Sequence, residues 1–382
     1  MSKSIVICCD GTGNEIKEHQ SNVLKFFRIL KKDAGQVVYY DPGVGTISDS
    51  GTWSEFKSRT KGVLGLLTGY GLDENVLEAY RFILNTYQEG DQIYLLGFSR
   101  GAYTVRVLAG FMRLVGLLPK EQENLCGYAL TAYKRASEKD DFKIAWRFHR
   151  VLQTTYVPIR FMGCWDTVGS VITPRRDRFY IPSLQTLPYT ISNPGVQCFR
   201  HAMAIDERRR MFRLKPWKER QKFKSNPFEK STDLPDQDVK QVWFVGVHSD
   251  IGGGYPEDES GVAKIVLKWM MDEAAEQGLR FREKLPDMLV MGENPKENTF
   301  EYAAPDATAE LHNSMTWAWR ILEYLPKRAH HKEWLDRRSF FGFFVPRSEP
   351  RRIDPDAAIH PSVLTRLAAR DEYRPENLPP RT

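Results

Sequence analysis

At 382 residues, with 41% hydrophobic and 27% charged side chains, the chain can bury a sizeable core and is too apolar for global disorder. Five cysteines, Cys8, Cys9, Cys126, Cys164 and Cys198, form an odd set without C-x-x-C spacing; neither a disulfide framework nor a zinc module is indicated, and a reducing compartment is expected. A net charge of +6 is modest for this length and names no partner.

The first apolar run, Ile5 to Cys9, is a buried strand by its continuity and β-branching, and it stops at Asp10-Gly11-Thr12-Gly13. At about five residues it is shorter than a signal-peptide core, and no run approaches the roughly 20 apolar residues that span a bilayer. A cytoplasmic location is expected, with signal-independent export left open. Asn22 to Lys31 carries Val23, Phe26, Phe27 and Leu30 at helical spacing, and Val37 to Tyr40 repeats the strand pattern before Asp41-Pro42-Gly43. The opening is therefore βαβ-like.

Leu72 to Gln88 reads as a helix, with Val76, Tyr80, Ile83 and Tyr87 on one face; Gln92 to Leu96 is a strand and Ala102 to Leu114 a second helix. Val157 to Cys164 and Val242 to Val247 have the composition of central strands, and Ser260 to Glu276 follows as a helix. Strands alternating with helices predict an α/β fold with a mostly parallel sheet. Residues 171–238, rich in proline and in charge, are expected as an insertion or lid within a single domain spanning 1–382. Residues 280–382 are expected as a helical C-terminal extension, with helices near Ser314 to Tyr324 and Ser362 to Arg370.

The chemistry begins at Gly97-Phe98-Ser99-Arg100-Gly101, between a strand and a helix. A nucleophilic serine needs that sharp turn, because it lifts the hydroxyl clear and aims the next backbone N–H at an oxyanion; glycines permit the close approach. The serine also needs a base and an orienting carboxylate, which in α/β-hydrolases follow in the order Ser, Asp or Glu, His. Asp166 closes one later strand and His248 another. His201 and His360 are rival bases. The backbone N–H groups of Gly11 or Thr12, with that of Arg100, are the expected oxyanion hole.

Asp10-Gly11-Thr12 also suits a metal-dependent phosphoesterase, in which Asp10 and Asp250 would hold Mg²⁺. Cys8, however, occupies the nucleophilic aspartate's position in that pattern. A binding module on a hydrolase-like fold is the non-enzymatic alternative. Between His201 and Lys224, after Asp206-Glu207, nine arginines and lysines interleave with Phe212, Trp217 and Phe223, which suits an anionic lipid surface or a solvated lid. No nucleic-acid motif accompanies them.

The runs Cys-Asp-Gly-Thr-Gly-Asn (9–14), Asp-Pro-Gly-Val-Gly-Thr (41–46), Gly-Phe-Ser-Arg-Gly-Ala (97–102), Trp-Asp-Thr-Val-Gly (165–169), His-Ala-Met-Ala-Ile-Asp-Glu-Arg (201–208) and His-Ser-Asp-Ile-Gly-Gly-Gly-Tyr (248–255) are specific in combination and order. They resemble the DUF2235 proteins, whose catalytic domain is shared with the Tle1-like type VI secretion lipase effectors. The resemblance implies an α/β-hydrolase domain acting on carboxylic esters; acyl transfer by a serine, histidine and aspartate needs no metal or organic cofactor. Ser99 would be its nucleophile and Asp166 and His248 the partners, with phospholipid as the narrower substrate option. The membrane-attacking effectors carry a large additional region with no obvious counterpart here, so a general esterase or lipase-like activity is the broader expectation.

Overall fold

The computed structural model describes residues 2–11, 19–43, 71–139, 143–169, 172–174, 182–184, 187–229, 231–293, 300–329, 332–334 and 336–379. Its strands are β1 (Ser4–Cys9), β2 (Gln36–Asp41), β3 (Gln92–Phe98), β4 (Ile159–Trp165), β5 (Ile172–Pro174), β6 (Pro182–Leu184), β7 (Val196–Ala204), β8 (Asp238–Phe244), β9 (Lys327–Arg328), β10 (Phe343–Phe344) and β11 (Ala358–Ile359). Seven of them form one parallel sheet in the order β11-β8-β7-β4-β3-β1-β2, while β5-β6 and β9-β10 are small antiparallel pairs.

The period-2 geometry of a strand explains why these segments lack a polar face. In β1, Ile5, Ile7 and Cys9 pack under the Leu72–Thr86 and Arg100–Val115 helices, while Val6 and Cys8 pack under the Asn22–Ile29 and Gly261–Glu276 helices. β3 divides likewise, with Ile93 and Leu95 on one side and Tyr94, Leu96 and Phe98 on the other. Both faces of the sheet are covered by helices, as the alternation of strand and helix requires. β1 has β2 on one side and β3 on the other, so the strand order reverses there and opens a crevice at the carboxyl ends of β1 and β3.

Two sequence-based boundaries change. Residues 171–238 do not stand apart from the sheet, because Val196–Ala204 within them is the strand between β4 and β8. Its polar Arg200 and His201 hide the pattern. They are buried with partners, Arg200 donating to Asp238 Oδ2 (2.7 Å) and His201 Nε2 accepting the Thr167 N–H (3.1 Å).

The described part of residues 280–382 is not chiefly helical. Their described helices are Leu285–Leu289, Trp317–Glu323 and Pro361–Ala369, separated by loops in which Pro305, Pro326, Pro346, Pro350 and Pro355 recur. This segment instead supplies the edge strand β11 and a third buried cluster. There Ile353, Val363 and Tyr373 cover Met203, Ile205, Trp243 and Val245 beside the carboxyl ends of β7 and β8.

Candidate active site

Ser99 occupies the one residue between β3 and the Arg100–Val115 helix and has φ 56° and ψ −118°, a conformation an L-residue adopts only when its surroundings enforce it. Its N–H donates to Trp165 O (3.0 Å) and its carbonyl accepts from Tyr103 (3.3 Å). The turn closes because its glycines allow it. A Cβ on Gly97 would stand 2.5 Å from the Gly101 backbone.

His248 opens the short His248–Gly252 helix beyond β8. Its Nε2 stands 2.8 Å from Ser99 Oγ and its Nδ1 2.5 Å from Asp166 Oδ2. Phe98 lies against one side of the imidazole at 4.7 Å and Phe212 meets it edge-on at 4.8 Å, so the ring is packed on two sides. Burial lowers the histidine's pKa; the pull of Asp166 in the opposite direction is smaller, so the ring is neutral at pH 7 and can accept a proton. The backbone N–H of His248 donates to Glu207 Oε2 (3.2 Å), and Arg209 holds that buried carboxylate ionised against the cost of burial.

Asp166 follows β4 at φ 37°, in the left-handed region that aspartate tolerates. It is fully buried, which by itself would raise its pKa, but the charge of Arg351 and the hydrogen bond to His248 hold it far below the ordinary carboxylate range. Arg351 is bidentate: Nη1 lies 2.6 Å from Oδ1 and Nη2 lies 2.9 Å from Oδ2. The Ala204 N–H also donates to Oδ1 (2.9 Å).

In the expected oxyanion loop the Gly11 N–H donates to its neighbour Asp10 Oδ1 (2.7 Å); Thr12 lies outside the described residues. Gly101 brings the Ser99 turn against the end of β1, since a Cβ there would meet Cys9 O at 2.1 Å. Arg100 begins the helix directly after Ser99.

The remaining candidates hold the frame together. Asp10 accepts from Ser21 Oγ and from Tyr40 OH (2.8 Å), whereas Asp250 accepts from the Val247 N–H (2.9 Å) and pairs with His312 Nδ1 (2.6 Å). The two aspartates thus serve separate hydrogen-bond sets, and among the described residues no group of three His, Cys, Asp or Glu side chains could hold a metal ion. Asp206 accepts from the Gly246 N–H (2.7 Å) and Tyr373 OH (3.0 Å), anchoring the loop that leads to His248. His201 is buried beneath the site with its Nε2 already occupied by Thr167. His360 caps the last helix through Ser362 (3.2 Å), stacks on Phe244 and is pushed down to about 4 by burial; its ring is not on Ser99.

The aromatic and basic stretch after His201 is partly internal, whereas Arg208, Lys218, Arg220 and Lys222 are exposed. Phe212 and Trp217 are buried, Trp217 stacked on Phe199, and Arg209, Arg210 and Lys222 pair with Glu207, Glu333 and Asp236. Phe212 and Trp217 therefore face the interior and not an anionic lipid surface. No described helix is long and apolar enough to cross a membrane.

Residues 3–273 match the family model described as the T6SS phospholipase effector Tle1-like catalytic domain. The chain belongs to this Tle1-like family. Ser99, Asp166 and His248 fall within the matched Tle1-like region, and Arg351 falls beyond it. The uncharacterized protein YEL023C of Saccharomyces cerevisiae is 31% identical over 226 residues, which make up 55% of this chain and 32% of the yeast protein, so the chain spans about a third of that relative's length. Among solved structures, an uncharacterized protein from Pseudomonas aeruginosa aligns with 74% of this chain and 47% of its own at 18% identity and a TM-score of 0.39. The Tle1 effector bound to the VgrG spike from the Type 6 secretion system aligns with 68% of this chain and 52% of its own at 19% identity and a TM-score of 0.30.

Proposed function

We propose that this chain is a serine hydrolase that cleaves carboxylic esters, phospholipids foremost, by a two-step acyl transfer. The observation that carries the reading is the unbroken hydrogen-bond line from Ser99 Oγ through His248 to Asp166, at 2.8 and 2.5 Å. Ser99 Oγ attacks the ester carbonyl carbon and passes its proton to His248 Nε2. Asp166 fixes the tautomer and offsets the imidazolium charge. As the tetrahedral intermediate collapses, the ester C–O bond breaks and His248 returns the proton to the departing alcohol. Water then repeats the sequence on the acyl-serine and releases the acid. The Arg100 N–H stabilises the oxyanion.

Lipid as the substrate class draws support from the family and from the distribution of exposed apolar groups. Trp317, Ile321 and Tyr324 are 78%, 57% and 64% exposed at helical spacing, and Phe341 is 98% exposed at the turn joining Phe340 to Phe343. Arg320, Arg328 and Arg338 accompany them. Aromatic tips among cations suit peripheral contact with an anionic bilayer. This surface is linked to the site, because Trp319 packs edge-on against Phe212, which in turn covers His248.

Acyl release from phosphatidylglycerol vesicles and from a soluble short-chain ester, measured beside a Ser99→Ala variant, tests the reading. Turnover of both that vanishes in the variant is expected. A folded wild-type protein inert toward a broad ester panel would overturn it.

A further inference from the structure

Arg351 is separated from Asp166 by 185 residues of sequence and lies outside the family-matched region, yet its guanidinium meets both oxygens of the carboxylate that orients His248. The same fork donates to Ala204 O (3.2 Å) at the end of β7 and to Phe212 O (2.7 Å). Arg351 therefore ties together the carboxylate, the strand end beside it and the residue that covers the His248 ring. Its own backbone is pinned in turn: Asn377 Nδ2 donates to Arg351 O and to Ile205 O, both at 3.0 Å. Arg351 and Asp166 are both buried, so neither charge is solvated and the pair is geometrically committed.

We infer that Arg351 is a positioning residue of the reaction: the C-terminal segment reaches back to hold Asp166 in the orientation that keeps His248 aligned on Ser99. This rests on the Ser99–His248–Asp166 reading above. A carboxylate this buried, with only His248 and one backbone N–H to hold it, would rotate or take up a proton. A bidentate guanidinium prevents both, because it fixes the plane of the carboxylate and keeps it ionised. A single ammonium can supply the charge without the plane.

The charged groups around the pair determine the pH behaviour. Asp166 faces Arg351 and His248, His201 lies beneath, Glu207 and Arg209 flank His248, and Glu333 approaches Arg351. Removing Arg351 leaves the negative charge of Asp166 less neutralised. The His248 imidazolium becomes easier to form and Asp166 easier to protonate, so both changes move the acid limb of the rate profile to higher pH.

The test compares Arg351→Ala, Arg351→Lys and Ser99→Ala with the wild type on a soluble short-chain ester, with and without added guanidinium below its unfolding range. Arg351→Ala should lose about 10- to 100-fold in kcat with KM nearly unchanged, move the acid limb upward, and regain activity with guanidinium. Arg351→Lys should fall between, with an acid limb close to the wild type. If Arg351→Ala does not fold, the intermediate kcat and unshifted limb of Arg351→Lys decide the matter. Wild-type kcat and pH profile in either folded variant would overturn the inference, as would a loss that guanidinium leaves untouched in a folded Arg351→Ala. Turnover surviving in Ser99→Ala would instead overturn the underlying triad, so the two failures are distinct.

Discussion

Gly101 sits so close to the carbonyl oxygen of Cys9 that a Cβ on it would stand 2.1 Å away, and 2.5 Å from Asp10 O. This contact presses the turn that carries Ser99 against the end of β1, where the expected oxyanion loop begins. Both oxygens belong to backbone at the end of a central strand and cannot swing aside. Gly101→Ala should therefore destabilise the protein by about 3 kcal/mol or more, which lowers Tm by several degrees. Thermal unfolding followed by circular dichroism checks this; an unchanged Tm would show that the β1 end yields.

Asp166 holds His248 through Nδ1 at 2.5 Å and presents both oxygens to Arg351. In Asp166→Asn the amide can donate to Nδ1 and so favours the wrong tautomer of the ring. A fall of about 10³ to 10⁴ in kcat is expected, with KM within a few-fold of the wild type. Steady-state kinetics on a soluble ester measure both, and a rise in KM alone would assign Asp166 to substrate binding.

Burial lowers the pKa of His248 below its ordinary 6.5, with the partial opposition of Asp166. With His248 as the proposed base its neutral ring is the active form, so kcat/KM should rise with pH through a value under 6.5 and be flat by neutrality. A pH–rate profile of the free enzyme reads this directly. An acid limb centred above 7 would mean that the imidazolium is favoured by the site.

His312 behaves in the opposite sense. Burial alone would lower its pKa, but Glu259 and Asp250 raise it above 6.5, with Nε2 and Nδ1 at 3.0 and 2.6 Å from them and Tyr255 stacked on the ring. The stabilisation from the protonated ring is complete below the unfolded value and is lost as pH rises through the elevated folded one. His312→Ala should therefore lower Tm more at about pH 6 than at about pH 9. Equal losses at both would show that the contact works through packing alone.

The frame of the site was legible because apolar runs end abruptly at turn residues. β1 stops before Asp10, β3 before Ser99 and β4 before Asp166, and the α/β alternation follows from those runs and the 3.6-residue spacing of Val76, Tyr80 and Ile83. β7 was hidden because Arg200 and His201 interrupt it, and their burial depends on partners such as Glu273 and Thr167 that no local pattern reveals. The internal position of Phe212 and Trp217 was hidden for the same reason: a basic surface helix and an ion-paired interior strap have similar composition. Arg351 lies in a proline-rich stretch with no periodicity, and only the fold brings it to Asp166. His312 attracts no chemical argument until the fold sets two carboxylates around it.

The central claim is that Ser99 is the nucleophile activated by His248. Labelling of the intact protein with a fluorophosphonate, followed by peptide mass spectrometry, tests it most directly. One equivalent of label on the peptide containing Ser99, absent from Ser99→Ala and strongly slowed in His248→Ala, is the expected result. Label on a different serine, or full ester turnover by protein in which Ser99 is replaced, would contradict it.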